Sequence, residues 1–247
     1  MKPVVEIRDL GIRFPWKANR SRTLKKALGE AINPRKKRRE KKWVWALRNV
    51  NFEIYQGETL GIIGRNGSGK TTLLRAIAGI YQPDEGTLDV KATVSPLLSL
   101  GTGFQQELSG MENIYINGVL LGFHEKEIDK VVDDIVNFAE LGEFINAPVK
   151  TYSSGMTARL GFSIAVHLRR DVMLIDEILG VGDAKFRKKS EEKLKELIYD
   201  DGRTVVLVSH SLSSVKRMSN RVVWLDKGAV KSVGDPEEVV NEYLASS

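Results

Sequence analysis

Apolar and polar residues alternate along several parts of the chain, and this pattern predicts strands there. The alternating stretches lie at 4–14, 43–54 and 88–94, and a further stretch at 222–233 predicts a hairpin. Uninterrupted apolar runs at 59–63, 172–175 and 205–208 predict strands that are buried on both faces. Because such runs are typical of parallel sheets and alternation is typical of antiparallel ones, we expect both kinds of sheet.

A second pattern, in which apolar residues recur every three or four positions, predicts helices between and after the buried strands. These helices cover 73–78, 111–123, 125–141, 152–168 and 237–244. Because buried strands and helices alternate over much of the chain, we expect an α/β fold.

The segment between the first buried strand and its helix reads Gly64-Arg65-Asn66-Gly67-Ser68-Gly69-Lys70-Thr71-Thr72. It fits the P-loop pattern of two glycines five positions apart, followed by Lys and Ser or Thr. Here free backbone N–H groups and the positive end of the helix dipole point at one place. We therefore expect a nucleoside triphosphate site, with Lys70 on the β- and γ-phosphates and the Thr71 hydroxyl on Mg²⁺. A chance match is disfavoured because both flanks are of the required type.

Polar residues also mark the ends of other predicted elements. Ser153 and Gly155 stand where the helix at 152–168 opens, which predicts a second anion site. Asp176 and Glu177 follow a buried strand, so their carboxylates are expected at the carboxyl edge of the sheet, where α/β proteins bind ligands. Asp176 is expected to hold Mg²⁺, and Glu177 to orient or deprotonate an attacking water.

Of the three histidines, His210 alone sits at the end of a buried strand, at the same predicted sheet edge. There it can contact a γ-phosphate, on which charge builds up during phosphoryl transfer. His124 and His167 lie in or beside predicted helices, and we interpret them as ordinary surface or helix residues.

Composition narrows the class of protein less than the distribution of charge does. The 247 residues carry a net charge of +6 and include no cysteine, so disulfide and thiolate chemistry are excluded. No window approaches 18 uninterrupted apolar residues, so a membrane span would have to come from a partner. Between Lys17 and Lys42 lie 12 of the 38 lysines and arginines but only two acidic residues. The excess positive charge therefore belongs to one segment, and the basic pI does not indicate a general nucleic-acid-binding surface.

This basic segment has a pattern of its own. Apolar residues at helical spacing predict a short amphipathic helix at 24–32, and a run of five lysines and arginines follows at 35–39. The segment can be a solvated charged loop, a nucleic-acid tail, or a docking element for a membrane protein or the anionic cytoplasmic leaflet. No aromatic residues interleave with the charges, which disfavours the tail. Docking is favoured because polybasic segments are attracted to anionic membrane surfaces.

Taken in order, these elements resemble the nucleotide-binding subunit of ABC transporters over about residues 1–235, outside the basic segment. The resemblance implies a P-loop NTPase core (RecA-like) with an N-terminal antiparallel β subdomain and a helical signature subdomain. It implies hydrolysis of ATP with Mg²⁺, with catalytic roles for Lys70, Gln105, Glu177 and His210. The implied metal ligands are Thr71, Gln105 and Asp176. The implied ATP-binding residues are Phe14 or Trp16, Gly64, Arg65, Asn66, Gly67, Ser68, Gly69, Lys70, Thr71, Thr72, Ser153, Ser154, Gly155, Met156 and Asp183.

By the same resemblance the chain divides into subdomains. The antiparallel β subdomain covers 1–60 with the basic insertion at 17–42, and the P-loop core covers 61–96 and 171–235. The Q-loop and helical subdomain cover 97–170, and a C-terminal helix covers 236–247. Some related chains continue into a carbohydrate-binding domain, and the sequence leaves open whether such a domain has been removed here.

The family also implies a head-to-tail homodimer. Ser153 and Gly155 of one subunit would close on ATP held by the P-loop of the other, so a two-fold dimer makes two composite sites. Two copies of a polytopic transmembrane permease would complete the transporter, with this chain at the cytoplasmic face of the inner membrane.

Several positions depart from the family pattern or leave a choice. The usual signature is Leu-Ser-Gly-Gly-Gln, whereas this chain has Tyr152, Ser154 and Met156 at three of its five positions. Gln105 is our choice for the Q-loop residue, with Gln106 as the alternative. Phe14 occupies the position of the adenine-stacking aromatic residue, and Trp16 and Trp43 are alternatives because they flank the insertion.

Three stretches, at 100–114, 152–162 and 177–183, look like one branch of the family, which exports polysaccharides such as O antigen, teichoic acid and capsule. This resemblance implies an ATPase that powers export of a lipid-linked polysaccharide. Alternatives are an ABC subunit for another cargo and a soluble ABC ATPase that acts on nucleic acid. The latter is disfavoured because the chain has neither a second nucleotide domain nor a long coiled-coil insertion, so we expect no nucleic-acid partner. A P-loop GTPase is disfavoured because no Asn-Lys-x-Asp loop is present.

Overall fold

Two β-sheets organise the chain. The computed structural model describes residues 2–16, 42–97, 103–176, 183–199, 203–209 and 211–246. The helix expected at 24–32 and the basic run at 35–39 lie outside the described residues. Glu177, residues 180–182 and His210 lie outside them too.

The first sheet is antiparallel and contains three strands in the order β2-β1-β4. These strands are β1 (Pro3–Pro15), β2 (Trp43–Tyr55) and β4 (Glu85–Val90). Ile7 of β1 lies opposite Phe52 on one side and Leu88 on the other. The apolar residues of the alternating pattern thus lie on a buried face of the sheet and the polar residues on an exposed face, as expected of an antiparallel sheet.

The second sheet has six strands in the order β5-β6-β7-β3-β8-β9. Its members are β3 (Thr59–Ile63), β5 (Val94–Leu97), β6 (Val172–Asp176), β7 (Thr204–Val208), β8 (Arg221–Asp226) and β9 (Ala229–Gly234). The neighbouring pairs from β5 to β8 are parallel, and β9 closes an antiparallel hairpin on β8. The three apolar runs are therefore buried parallel strands, and the predicted hairpin is confirmed.

The helices in the described ranges are α1 (Lys70–Ile77), α2 (Gly110–Leu120), α3 (Glu125–Ile128), α4 (Val132–Ala139), α5 (Ser154–His167), α6 (Ala184–Tyr199), α7 (Leu212–Met218) and α8 (Pro236–Ala245). Two 3₁₀ turns, at Gly142–Asn146 and Val149–Thr151, separate α4 from α5. None of the helices in the described ranges is long and apolar enough to cross a lipid bilayer.

The prediction of a single strand at 88–94 is wrong. β4 ends at Val90 in the antiparallel sheet, and Val94 begins β5 in the parallel sheet. Between them, Asp171 accepts hydrogen bonds from the Thr93 backbone N–H at 2.9 Å and the Thr93 hydroxyl at 2.6 Å. The Asp171 carboxylate thus anchors the chain beside β6, where it changes sheets, and local alternation carries no sign of this.

The helices of the middle region are shorter than expected. α2 ends at Leu120 because Gly122 takes a left-handed conformation with φ 81°, which is typical of a residue just beyond a helix end. The helix expected at 125–141 is broken after Ile128. The break lets α3 pack on α2 while α4 packs on α5, so both Ile128 and Ile135 are fully buried.

Several hydrophobic clusters stabilise the fold, and α5 contributes to more than one of them. One core lies between the two sheets, around α1, and includes Leu73 and Leu174. Another lies within the helical part, where Ile114 and Leu160 belong to a cluster formed by residues 104–168. Residues 104–168 therefore have a hydrophobic cluster of their own, while Phe162 of α5 also belongs to a cluster with Met173 of β6.

Candidate functional site

The P-loop joins β3 to α1, and its glycines adopt a backbone that other residues rarely take. Gly64, Gly67 and Gly69 have φ of 148°, 80° and 108°. A Cβ on Gly64 would lie 2.1 Å from the Leu225 carbonyl oxygen, and one on Gly69 would lie 2.7 Å from Leu47 Cδ2. The loop is thus seated closely against β8 and β2, which fixes its shape before any ligand arrives.

Lys70, the first residue of α1, folds back over this loop. Its Nζ donates hydrogen bonds to the carbonyl oxygens of Gly64 at 2.7 Å and Arg65 at 3.1 Å. The side chain is buried, and this burial lowers the pKa of Lys70, while the charge of Asp176 acts in the opposite direction. The ammonium group therefore lies at the centre of the loop, where an anion would meet a concentrated positive charge.

The next residue, Thr71, reaches the neighbouring strand. Its hydroxyl donates a hydrogen bond to Asp176 Oδ2 at 3.1 Å. Asp176 is the last residue of β6, and Thr71 lies in the first turn of α1. A hydroxyl and a carboxylate oxygen are the hard ligands that Mg²⁺ prefers, so these two side chains fit a magnesium ion that also binds phosphate oxygens.

Ser68 adds a second polar group inside the loop. Its hydroxyl is buried and has no hydrogen-bond partner among the described residues. Its backbone is held on both sides, since the N–H donates to Arg65 and the carbonyl accepts from Gly228 at 3.0 Å. Arg65, Asn66 and Gly67 form the exposed tip of the loop, and Thr72 is half-buried behind it. A buried hydroxyl without a partner is expected where a ligand supplies the missing bond.

The signature residues begin α5. Ser153 is the N-cap, and its hydroxyl accepts a hydrogen bond from the Met156 backbone N–H at 3.2 Å. Ser153 and Ser154 are exposed, and a Cβ on Gly155 would meet nothing closer than 3.8 Å. The helix N-terminus predicted to bind an anion is therefore formed and open to solvent, on the helical subdomain.

Asp183 directly precedes α6 and is connected to α5. Its Oδ1 accepts a hydrogen bond from the Phe186 backbone N–H at 2.9 Å, and its other oxygen forms an ion pair with Arg159. The hydrogen bond from Phe186 and the nearby charge of Arg159 lower the pKa of Asp183. Arg159 was not predicted as a site residue, and no local pattern distinguishes it from other helical arginines.

Gln105 lies in a turn whose backbone is fixed by a buried side chain. Asn113 accepts from the Gln105 N–H at 2.7 Å and donates to the Gln105 carbonyl at 3.0 Å. The side chains of Gln105 and Gln106 are both exposed, so both remain candidates for the Q-loop residue. Asn113 was not predicted to have a role, although a fully buried asparagine on an otherwise apolar helix face is the kind of residue that holds a loop.

The aromatic candidates lie on different faces of the antiparallel sheet. Phe14 shares the face of the buried residues Ile12 and Leu47, against which the P-loop packs, and its ring meets that of Tyr81 edge-on. Trp43 lies on the opposite face, where it covers the guanidinium group of Arg13. Trp16 follows β1 and is exposed. This placement favours Phe14 as the residue beside a nucleotide in the P-loop.

His124 and His167 have structural positions in agreement with their interpretation as ordinary residues. His124 precedes α3, where its backbone N–H donates to Glu127. His167 ends α5, where its ring bonds to the Ser163 carbonyl and meets Phe138 edge-on. Burial lowers the pKa of His167, so its imidazole is favoured in the neutral form.

This arrangement defines a P-loop nucleotide-binding domain. Its parts are a parallel strand, a glycine loop, and a helix whose first lysine and threonine lie near an aspartate at the end of another strand. The family model described as ABC transporter matches residues 47–180. The chain belongs to this ABC transporter family.

Three bacterial proteins are similar in sequence to most of this chain. The O-antigen export ATP-binding protein RfbB of Myxococcus xanthus is 48% identical over 90% of this chain and 50% of its own length. The teichoic acids export ATP-binding protein TagH of Lactococcus lactis is 49% identical over 81% of this chain and 42% of its own length. The ABC transporter protein AbcA of Aeromonas salmonicida is 44% identical over 94% of this chain and 71% of its own length. The chain thus spans about half the length of the first of these relatives.

Among solved structures, a dimeric ATP-binding cassette bound to ADP and Pi superimposes with a TM-score of 0.71, covering 94% of this chain and 98% of its own. Its sequence is 21% identical, so this likeness bears on the fold alone. It confirms the expected P-loop NTPase fold.

Proposed function

We propose that this chain binds and hydrolyses ATP. The observation that carries the proposal is the meeting of Lys70, Thr71 and Asp176 at the carboxyl edge of the parallel sheet. Lys70 would move from the carbonyl groups of its own loop to the β- and γ-phosphates, a charge-assisted contact in place of neutral ones. The glycine backbone and the Ser68 hydroxyl would supply further donors to the phosphates, and Phe14 a surface for the adenine.

A magnesium ion would be held by Thr71 and Asp176 together with phosphate oxygens, and Gln105 is a proposed additional ligand. When bound, the ion would neutralise charge on the phosphates. Glu177 is proposed to orient or deprotonate the attacking water, and His210 to contact the γ-phosphate. Both follow strands that end at this same sheet edge.

A complete site would require a second copy of the chain. The N-terminus of α5 is exposed and would offer a second anion site, which a triphosphate held by the P-loop of the same chain does not need. We propose that Ser153 to Met156 of one subunit close on ATP held by the other, with Asp183 near the same interface. Closure of a two-fold dimer on two nucleotides would be the mechanical step.

The proposed cargo is a lipid-linked polysaccharide of the O-antigen type. Support comes from the names of relatives that are 44–49% identical, which are export ATP-binding proteins for O antigen and teichoic acids. The chain would then act at the cytoplasmic face of the membrane, bound to two copies of a transmembrane permease.

The catalytic proposal is tested with the purified chain and Mg²⁺-ATP. Lys70→Ala should abolish nucleotide binding, whereas Glu177→Gln should bind ATP, hydrolyse it slowly and form a dimer. Phosphate release by Lys70→Ala at the wild-type rate would refute the assignment of the site.

The cargo is tested in cells. Copies of the chain isolated from detergent-solubilised membranes should carry a polytopic permease, and Glu177→Gln should make a lipid-linked glycan accumulate on the cytoplasmic side. An accumulating drug or peptide in place of the glycan would identify another cargo.

A further inference from the structure

The segment at 148–150, just before the signature, is hydrogen-bonded to the turn that carries Gln105. The Lys150 backbone N–H donates to the Gln106 carbonyl, and the Val149 N–H donates to the Leu108 carbonyl, both at 2.9 Å. The side chain of Lys150 also forms an ion pair with Glu107. Two loops that lie about 40 residues apart in sequence are thus joined by backbone hydrogen bonds, which resist sliding better than side-chain contacts between exposed groups.

The turn itself is rigid at its other end. The Asn113 side-chain amide donates to the carbonyl groups of Gln105, Leu108 and Ser109, at 2.9–3.2 Å. Ser109 and Glu112 form a capping box at the start of α2. The stretch from Gln105 to Gly110 is therefore held by α2 on one side and by the segment at 148–150 on the other.

Tyr152 continues this connection up to the signature. Its hydroxyl donates a hydrogen bond to the Phe144 carbonyl at 2.6 Å and lies against Gly110, the first residue of α2. A Cβ at position 110 would lie 2.3 Å from the Tyr152 hydroxyl oxygen, so glycine is what makes room for the contact.

The next residue after Tyr152 is Ser153, the N-cap of α5. A displacement of the Gln105 turn must therefore be transmitted through Tyr152 to the N-cap within a single residue. Leucine, the usual residue at this position of the signature, has no hydroxyl and could not form the bond to Phe144.

We propose that Tyr152 is a positioning residue, whose hydroxyl fixes the signature N-terminus relative to the Gln105 turn so that the two move as one unit. The inference rests on the proposed function, because it concerns how Ser153 is presented to ATP on a second subunit. It assigns to Tyr152 an effect on dimer closure and none on ATP binding by the P-loop of a single subunit.

The test uses Tyr152→Phe in a Glu177→Gln parent, which is expected to hold ATP without hydrolysing it. Tyr115→Phe is the matched control, because it removes another hydroxyl of the same subdomain, one that donates to Asp129. Sedimentation at saturating Mg²⁺-ATP gives the protein concentration at half dimerisation, and a titration of the monomer gives ATP affinity. Thermal unfolding and amide exchange at 153–157 report on local and global order.

We expect Tyr152→Phe to raise the concentration for half dimerisation by about threefold to tenfold, the effect of one lost hydrogen bond. ATP affinity of the monomer should be unchanged, and exchange should quicken at 153–157 but not in α1. Tyr115→Phe should match the parent in dimerisation.

Two results would overturn this inference and leave the proposed function intact. The first is that Tyr152→Phe dimerises at the same concentration as the parent. The second is faster amide exchange throughout 103–168 together with a lower unfolding temperature, which would indicate a merely structural role. If the parent itself failed to dimerise with ATP, the proposed composite site would fall, and this inference with it.

Discussion

Thr71 and Asp176 are joined by a hydrogen bond of 3.1 Å although 105 positions separate them in the chain. Thr71 is brought there by the first turn of α1, and Asp176 by the end of β6, one strand removed from β3 in the sheet. Because the hydroxyl and the carboxylate lie within hydrogen-bonding distance, little rearrangement is needed to place both on one metal ion. The pair therefore connects the loop that binds phosphate to the strand that precedes Glu177.

Replacing Asp176 by Asn keeps the shape of this contact but removes its charge. We expect hydrolysis of Mg²⁺-ATP to fall by about a hundredfold or more, because the metal loses an anionic partner. ATP binding measured without Mg²⁺ should change little. Asp171→Asn is the control, since it alters a carboxylate at the other end of β6 that bonds to Thr93. Equal losses in the two variants would contradict a metal-linked role for Asp176.

The P-loop glycines are expected to differ in their tolerance of a side chain. Gly67→Ala introduces a residue with φ 80° into open space and should lower the free energy of unfolding by about 1 kcal/mol. Gly69→Ala places its Cβ 2.7 Å from Leu47 and 2.8 Å from the Ala46 carbonyl, and should lower it by about 3 kcal/mol. Denaturant unfolding of the two variants measures the difference. Similar losses would mean that the loop is not seated against β2 in solution.

Phe14 and Trp43 can be separated by a test of adenine binding. Phe14→Ala should weaken ATP binding by about tenfold, because aromatic stacking on a base contributes about 1–3 kcal/mol. Binding of inorganic triphosphate should be unaffected, since it has no base. Trp43→Ala, on the opposite face of the sheet, is the matched control and should bind both ligands normally. The reverse result would assign adenine to Trp43.

The lowered pKa of Asp183 predicts that the stability of the fold depends on pH. Its pKa in the folded chain is lowered from the ordinary value of 3.8 by the Phe186 N–H and Arg159. A depressed pKa gives stability that is present above the unfolded pKa and is lost as the pH falls through the folded value. Wild type should therefore be more stable than Asp183→Asn near neutral pH, and the difference should shrink below about pH 4. Thermal unfolding across this range checks the sign, and a difference that grew on acidification would contradict it.

Much of the fold was predictable because its signals are local. The apolar runs at 172–175 and 205–208 correspond to strands β6 and β7, since a strand buried on both faces needs apolar side chains on both. The P-loop was readable for a related reason: the glycines, Lys70 and Thr71 act through the backbone of one short turn. The local pattern gave a wrong prediction at 88–94. There the chain passes from one sheet to the other, and the contact that holds Thr93 comes from Asp171, which is distant in sequence.

The sequence by itself determined which residues could bind a triphosphate, because spacing within a turn is fixed by covalent geometry. Only the tertiary structure decided which distant residues meet. It brought Asp176 to Thr71, placed Phe14 and Trp43 on opposite faces, and brought Asn113 to the Gln105 turn and Tyr152 to Gly110. Those contacts depend on strand order, on a bulged register and on the packing of a separate helical core. None of these is encoded in a short window of sequence, since each arises from the burial of surfaces contributed by the whole chain.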